Sequence, residues 1–262
     1  MKRIVSVVLS MILVFASLGA FSLGASAATT DQTYTADALN SLDLFLGTDL
    51  GYELDKNVTR AEGAVIVVRF LGKESDALAN KAEHPFTDVP DWASAHVAYL
   101  YNAGFVVGIS DTEYGSEMSM TFEHILTLAL RILGYKDGTD FVWDAPFTLA
   151  KSKGIISAGA DTSKGIATLR GNLVDIFWKM LSTQYKNGGY VCQKLMADGV
   201  FTSDEYSTAI MIREIGKERY EAWLNAPAVP DTPDTPDTPD TPDTPDTPDE
   251  EGSEDRNWTD NY

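Results

Sequence analysis

The 262-residue chain contains one cysteine. A disulfide framework needs cysteine pairs and a cysteine-based structural metal site needs several thiolates, so neither is open to it. Three scattered histidines leave little for a zinc cluster. Basic residues are scarce as well: 20 Lys and Arg stand against 39 Asp and Glu, a formal net charge of −19. That balance argues against binding nucleic acid or an anionic membrane, because both demand a basic surface that displaces counterions. After Phe21 no apolar run is long enough to span a bilayer. Apolar side chains are nevertheless plentiful at 44%, enough for the core of one large domain or two small ones.

The two ends of the chain differ from its middle. Met1-Lys2-Arg3 opens a basic start, an apolar run follows from Ile4 to Phe21, and Ala25-Ser26-Ala27 supplies small residues at a cleavage position. This is the layout of a secretory signal peptide, with the mature chain expected to begin near Ala28; an uncleaved membrane anchor is the rival reading. At the other end, Pro-Asp-Thr repeats six times from Pro230 and leads into the acidic run Glu250 to Asp255. Proline every third residue fixes φ and removes backbone donors, while the aspartates repel one another. The expectation is a disordered, extended spacer, reaching roughly 70 Å at about 3.1 Å per residue. Residues 227–262 carry 12 acidic residues and one arginine, so about half of the negative charge belongs to this segment and says nothing about partners. Trp258 and Tyr262 at its end could dock on an unknown partner, against the plainer reading of a disordered tail. Cys192, between Val191 and Leu195, reads as a buried structural residue, with no histidine nearby in sequence to activate it.

The middle repeats itself. Segments beginning at Arg60, Phe122 and Arg170 place apolar residues at matching offsets, for example Ile125, Leu126, Leu130 and Leu133 against Leu173, Val174, Trp178 and Leu181. A basic residue recurs as Arg69, Arg131 and Lys179. Each segment reads as a helix of roughly three turns, mostly buried, and Gly72 and Gly134 read as C-terminal stops. Thr59-Arg60-Ala61-Glu62 is a capping box; the second segment keeps Thr121 but has His124 in place of Glu. The third carries Thr168 one residue early, so matched threonines favour Leu169 and matched apolar offsets favour Arg170 as the counterpart of Arg60. A shorter helical pattern precedes each capped helix: around Leu39 and Leu42, from Trp92 to Gly104, and from Phe147 to Gly154. Asp88 or Asp91 is the expected cap of the second of these.

Phe86-Thr87-Asp88-Val89, Trp92-Ala93 and Gly104-Phe105-Val106-Val107-Gly108 of the second unit, with the Thr-Arg-Ala-Glu at residues 59–62 of the first, resemble the S-layer homology (SLH) domain. The resemblance covers about Thr33 to Ser182 and extends to about Trp223. It implies a mainly α fold: three helix-loop-helix repeats in a pseudo-threefold bundle, with one helix of each at the centre and the others forming prongs. The expected organisation is a signal peptide (1–27), repeats at 28–76, 77–138 and 139–186, a helical cap closing the third repeat (187–226), and the linker and tail (227–262).

What the resemblance implies for function is non-covalent tethering of an exported protein to a secondary cell-wall polysaccharide, commonly one bearing pyruvyl ketals. No cofactor is implied. The Arg of the Thr-Arg-Ala-Glu motif is the main ligand contact in such domains, which points to Arg60 and, by the offset alignment, Arg170. A guanidinium at a helix start offers forked donors to a carboxylate together with the favourable end of the helix dipole. Phe122 cannot pair with an anion, so its groove is expected to be weak or dead. Trp92 stacks on a sugar or packs in the core; Thr59 and Glu62 belong to the same candidate site, although capping explains them as well.

Two other classes compete. A secreted wall-acting glycosidase would need two carboxylates converging across a cleft, whereas Glu62, Asp88, Asp91 and Asp111 read as caps and loop residues. A lattice or adaptor protein would instead use the C-terminal tail.

Overall fold

The computed structural model describes residues 28–80 and 82–225. The expected signal peptide and the Pro-Asp-Thr spacer and tail lie outside the described residues. Those described are mainly helical: α1 (Thr30–Asn40), α2 (Arg60–Phe70), α3 (Glu74–Asn80), α4 (Asp91–Asn102), α5 (Phe122–Ile132), α6 (Phe147–Ser152), α7 (Arg170–Leu181), α8 (Val191–Ala197), α9 (Ser203–Ile215) and α10 (Lys217–Leu224). Among them β-structure is confined to isolated bridges.

The helix starts follow from local chemistry. At α2, Thr59 Oγ1 accepts from the Glu62 amide at 3.2 Å and Glu62 Oε2 accepts from the Thr59 amide at 2.9 Å, so two otherwise orphaned donors are satisfied. Gln32 and Glu205 answer Thr29 and Thr202 in the same way at α1 and α9. At α5 the substitute works: His124 Nδ1 accepts from the Thr121 amide at 3.3 Å. Helix α2 ends at Gly72, whose φ of +65° lets Lys73 N–H turn back to the Val68 carbonyl.

Helices α2, α5 and α7 are buried along most of their lengths, as their apolar sequences require. Their entry segments are joined by a closed cycle of backbone hydrogen bonds. Val58 N–H donates to Thr168 O at 3.0 Å, Thr168 N–H to Met120 O at 2.8 Å, and Met120 N–H to Val58 O at 2.8 Å. Just beyond, the amides of Arg60, Phe122 and Arg170 donate to Met118, Ile166 and Lys56. This pairing fixes the register left open by the sequence: Arg170 occupies the place of Arg60 and Phe122. Outside the cycle, α4 packs on α2, α6 on α5 and α1 on α7. Each shorter helix therefore leans on the capped helix of the preceding segment, and the first leans on the last. Phe70 and Phe177 stack at 4.3 Å where α2 meets α7.

Four local expectations need correction. Neither Asp88 nor Asp91 caps α4: Pro90 holds the N-cap position and Asp91 is already helical. Proline's fixed φ pre-sets the entry, and Asp88 is drawn away by loop amides described below. Residues 206–223, which read as one helical stretch, are divided between α9 and α10 by a break at Gly216, whose φ is +83° and against which Tyr34 packs. The closing segment does not sit on the third repeat alone: α9 lies along α1, tied by Arg213 to Asp31 at 2.8 Å, while α8 meets α7. Trp92 is not a core residue; it is 55% exposed on the first turn of α4.

Candidate functional site

Arg60 is the first residue of α2, so its position is set by the Thr59–Glu62 box and by the pairing of residues 58–60 with 118–120. The guanidinium reaches over the Tyr114 ring, 4.5 Å from its centroid. Its Nε–H donates to Tyr114 O at 2.9 Å and one Nη2–H to Val107 O at 3.0 Å. These bonds leave the Nη1 edge free, and Arg60 forms no ion pair among the described residues. A half-buried arginine without a carboxylate partner retains its full attraction for an anion.

The loop that receives Arg60 is held by Asp88, which accepts from the amides of Tyr114, Gly115 and Ser116 at 2.6, 2.7 and 3.0 Å. Burial opposes ionisation, but these three donors outweigh it and hold the Asp88 carboxyl below the usual carboxylate range. Val107, whose carbonyl Arg60 binds, also lines a cleft of about 550 Å³ together with Phe86, Tyr101, Gly108 and Ile109. Val107, Ile109 and the neighbouring Met118 are at least half exposed, giving the Arg60 groove an apolar wall. Met118 and Ile109 meet at Gly115.

Arg170 occupies the equivalent place with a different outcome. It is 5% exposed, its Nε–H donates to Tyr52 O at 2.7 Å and its Nη2–H to Leu46 O at 3.3 Å, and it lies over Phe45. Burial pulls its pKa down while the charges of Glu62 and Glu53 push it up. Glu62 therefore does more than cap. Burial raises its pKa, yet the Thr59 amide, Lys56 at 3.1 Å and the Arg170 charge together hold it below its ordinary value. The two arginines read alike in sequence and bond carbonyls in the same way, and neither forms an ion pair among the described residues; they differ in burial, Arg170 being enclosed and Arg60 half-exposed.

The remaining sequence candidates separate in the same way. Thr59 and Glu62 act as the capping pair, with Glu62 turned toward Lys56 and Arg170. Trp92 is exposed, but no contact of its side chain joins it to Arg60 among the described residues. Phe122, in the third equivalent place, is fully buried and tilted against Phe147 at 6.3 Å. Sequence reasoning missed Tyr114, Val107 and Asp88 as the surroundings of Arg60; the signal available was the glycine-rich loop after Gly104, which must fold back tightly. No group of His, Cys, Asp or Glu among the described residues could hold a metal ion. Cys192 is half-buried, and burial pushes its thiol pKa up, which is the opposite of activation.

No family model matches the chain. Curated relatives do. The chain is 32% identical over 191 residues to the middle cell wall protein of Brevibacillus brevis, covering 69% of this chain and 18% of that protein. It is 28% identical over 224 residues to a cell surface protein of Thermoanaerobacter kivui, covering 79% of this chain and 28% of that one. It is 31% identical over 112 residues to a surface layer protein of Brevibacillus choshinensis, covering 42% and 10%. A shorter match, to an endoglucanase of a Bacillus species, covers 30% of this chain and 8% of that enzyme. The chain thus spans between about a tenth and a little over a quarter of the relatives it matches. No helix among the described residues is long and apolar enough to cross a membrane. By sequence the chain is related to proteins of the bacterial cell wall and surface layer.

Proposed function

We propose that the chain is a non-enzymatic, exported wall-binding module built on three SLH-like repeats, and that it holds a carboxylate-bearing secondary wall polysaccharide in the Arg60 groove. The observation that carries this reading is the state of Arg60. Its guanidinium is braced by two carbonyls, is free of any acidic partner, and opens a helix beside an exposed apolar wall. A carboxylate on a sugar satisfies all of these at once: charge for the free edge, helix-dipole support, and an apolar face against Val107 and Ile109. The relatives named for cell wall and surface layer support the setting. In this reading Arg170 is framework, because it is buried with its Nε–H and Nη2–H on the Tyr52 and Leu46 carbonyls.

A protein of net charge −19 gains little long-range attraction to an anionic wall, so binding rests on short-range placement and varies only moderately with salt. The test is co-sedimentation of the full chain with purified wall sacculi. Arg60→Gln should weaken retention about tenfold or more, the loss of one charge-assisted hydrogen-bonding group. Retention equal to wild type sinks the assignment. Release of reducing sugar from the sacculi would instead favour a glycosidase.

A further inference from the structure

Arg60 and the closed backbone cycle lie where α2, α5 and α7 begin; the other ends of α5 and α7 carry a second feature. The Lys186 amide donates to Leu133 O at 2.8 Å and so brings the segment after α7 onto the end of α5. That segment is folded on itself: Tyr185 N–H donates to Gly189 O at 3.0 Å, Val191 N–H to Thr183 O at 3.1 Å, and Gln184 pairs with Tyr190. Between this loop, Tyr135 and the last residues of α6 lies a cleft of about 500 Å³, within the range of small-ligand sites. The eleven residues of α5, at about 1.5 Å each, put roughly 16 Å of helix between the cleft and the backbone cycle.

The lining has a definite chemistry. Lys153 Nζ and Lys186 Nζ stand 5.2 and 5.9 Å from the centroid of the nearly buried Tyr135 ring, so its π surface is already taken by cations. Lys186 pairs with Asp140 at 2.7 Å, whereas Lys153 forms no ion pair among the described residues. Ser152 Oγ–H donates to Leu149 O at 2.8 Å and Ser182 Oγ–H to Lys179 O at 3.1 Å, so both hydroxyls turn only lone pairs to the cleft. The Gln184 side chain makes no hydrogen bond among the described residues and offers both an acceptor and donors. Tyr190 is 40% exposed at the rim, and its ring meets no other ring among the described residues.

These groups select against ions of either sign. Helices α5, α6 and α7 all end here, and the negative ends of their dipoles are answered by the two lysines. Acceptor oxygens repel an anion, and the ammonium groups repel a cation. A neutral polyol meets neither objection, because each of its hydroxyls both donates and accepts. We propose that this cleft is a second carbohydrate site, for an uncharged pyranose: sugar hydroxyls donate to Ser152 Oγ and Ser182 Oγ, Lys153 and Gln184 donate to sugar oxygens, and a sugar face rests on the Tyr190 ring. It goes beyond the Arg60 groove and does not depend on it. The exposed aromatic supplies the apolar face that a pyranose ring needs and a simple ion does not.

The test uses the full chain, the uncharged trisaccharides chitotriose and maltotriose, inorganic phosphate as the anionic probe, and NMR of the tyrosine rings. At least one trisaccharide should shift the Tyr190 and Tyr135 signals saturably, and phosphate at matched ionic strength should not. Tyr190→Ala and Lys153→Met should each weaken the trisaccharide about three- to tenfold, with unchanged thermal unfolding as the check on folding. Gln184→Leu, an exchange of an exposed side chain, gives the same reading should Tyr190→Ala unfold earlier. If neither trisaccharide moves these signals, or phosphate moves them instead, the inference is overturned. It is overturned equally if a trisaccharide binds these variants as it binds wild type, or if Arg60→Gln alone releases it, since the sugar then lies elsewhere. Sacculus retention of Arg60→Gln is a separate measurement, so either reading can fail while the other stands.

Discussion

Asp88 and Tyr114 are joined by the shortest of three parallel contacts, a 2.6 Å hydrogen bond from the Tyr114 amide to Asp88 Oδ1, and the Tyr114 carbonyl in turn accepts from Arg60 Nε. The carboxylate thus shapes the loop that braces the arginine. Asp88→Ala removes an acceptor from three amides at once and is expected to destabilise the fold by about 1–2 kcal/mol, at the lower end for charged hydrogen bonds because Asp88 is exposed. Because its folded-state pKa is depressed, the contribution is present above the unfolded value of 3.8 and is lost as pH falls through the folded value. Urea unfolding at pH 7 and pH 3 checks this: the gap between wild type and variant should narrow at the lower pH. An unchanged gap would place the effect in packing instead.

Gly108 tests the same loop from the other side. A Cβ built there would lie 2.4 Å from both Phe86 Cε1 and Ser110 O and 2.5 Å from Glu113 O. Two of those atoms are backbone and cannot step aside without opening the turn. Gly108→Ala should cost about 1–3 kcal/mol and weaken sacculus binding further, because Val107 O moves with its neighbour. Thermal unfolding read beside co-sedimentation separates the two effects, and a variant as stable as wild type would contradict the geometry.

Much of this fold is written locally, and what is not written locally is where function separates from framework. Thr59–Glu62 and Gly72 announce a helix start and stop because capping involves only neighbours in the chain. His124 could be seen as a departure from the box, though not as an acceptor that still serves the Thr121 amide. Pro90 displaced the expected aspartate cap because Asp88 had better partners in a loop distant in sequence. The packing of α4 on α2, α6 on α5 and α1 on α7 leaves no trace in periodicity, since helices that are apolar on most sides do not declare their neighbours. The same limit hid the difference between Arg60 and Arg170: the carbonyls of Leu46 and Tyr52 that enclose Arg170 lie far from it in sequence, and only the closed backbone cycle brings them together.

That difference is measurable. Arg170→Ala should unfold the module more readily than Arg60→Ala, because it strands the Leu46 and Tyr52 carbonyls and empties a buried place over the Phe45 ring. A loss of about 2–4 kcal/mol is expected for Arg170, against about 1 kcal/mol for the more exposed Arg60. Denaturant midpoints of the two variants decide it; equal destabilisation would remove the distinction between framework and ligand arginine.

Asp175, on α7, accepts a 2.8 Å hydrogen bond from Gln32 Nε2 of α1, and burial pushes its carboxyl from 3.8 up to about 6 despite that bond. Between these values the folded chain keeps a proton that the unfolded chain has released, so unfolding free energy falls as pH rises across the window and the cost is fully present above it. Asp175→Asn retains an acceptor for Gln32 and carries no charge to bury. It should stabilise the protein at pH 7 by about 1–3 kcal/mol and make no difference near pH 3.5, since each tenfold change in proton affinity corresponds to about 1.4 kcal/mol. Urea titrations at both pH values give the answer, and a stabilisation that is the same at both would show that the amide improves packing rather than relieving a buried charge between α1 and α7.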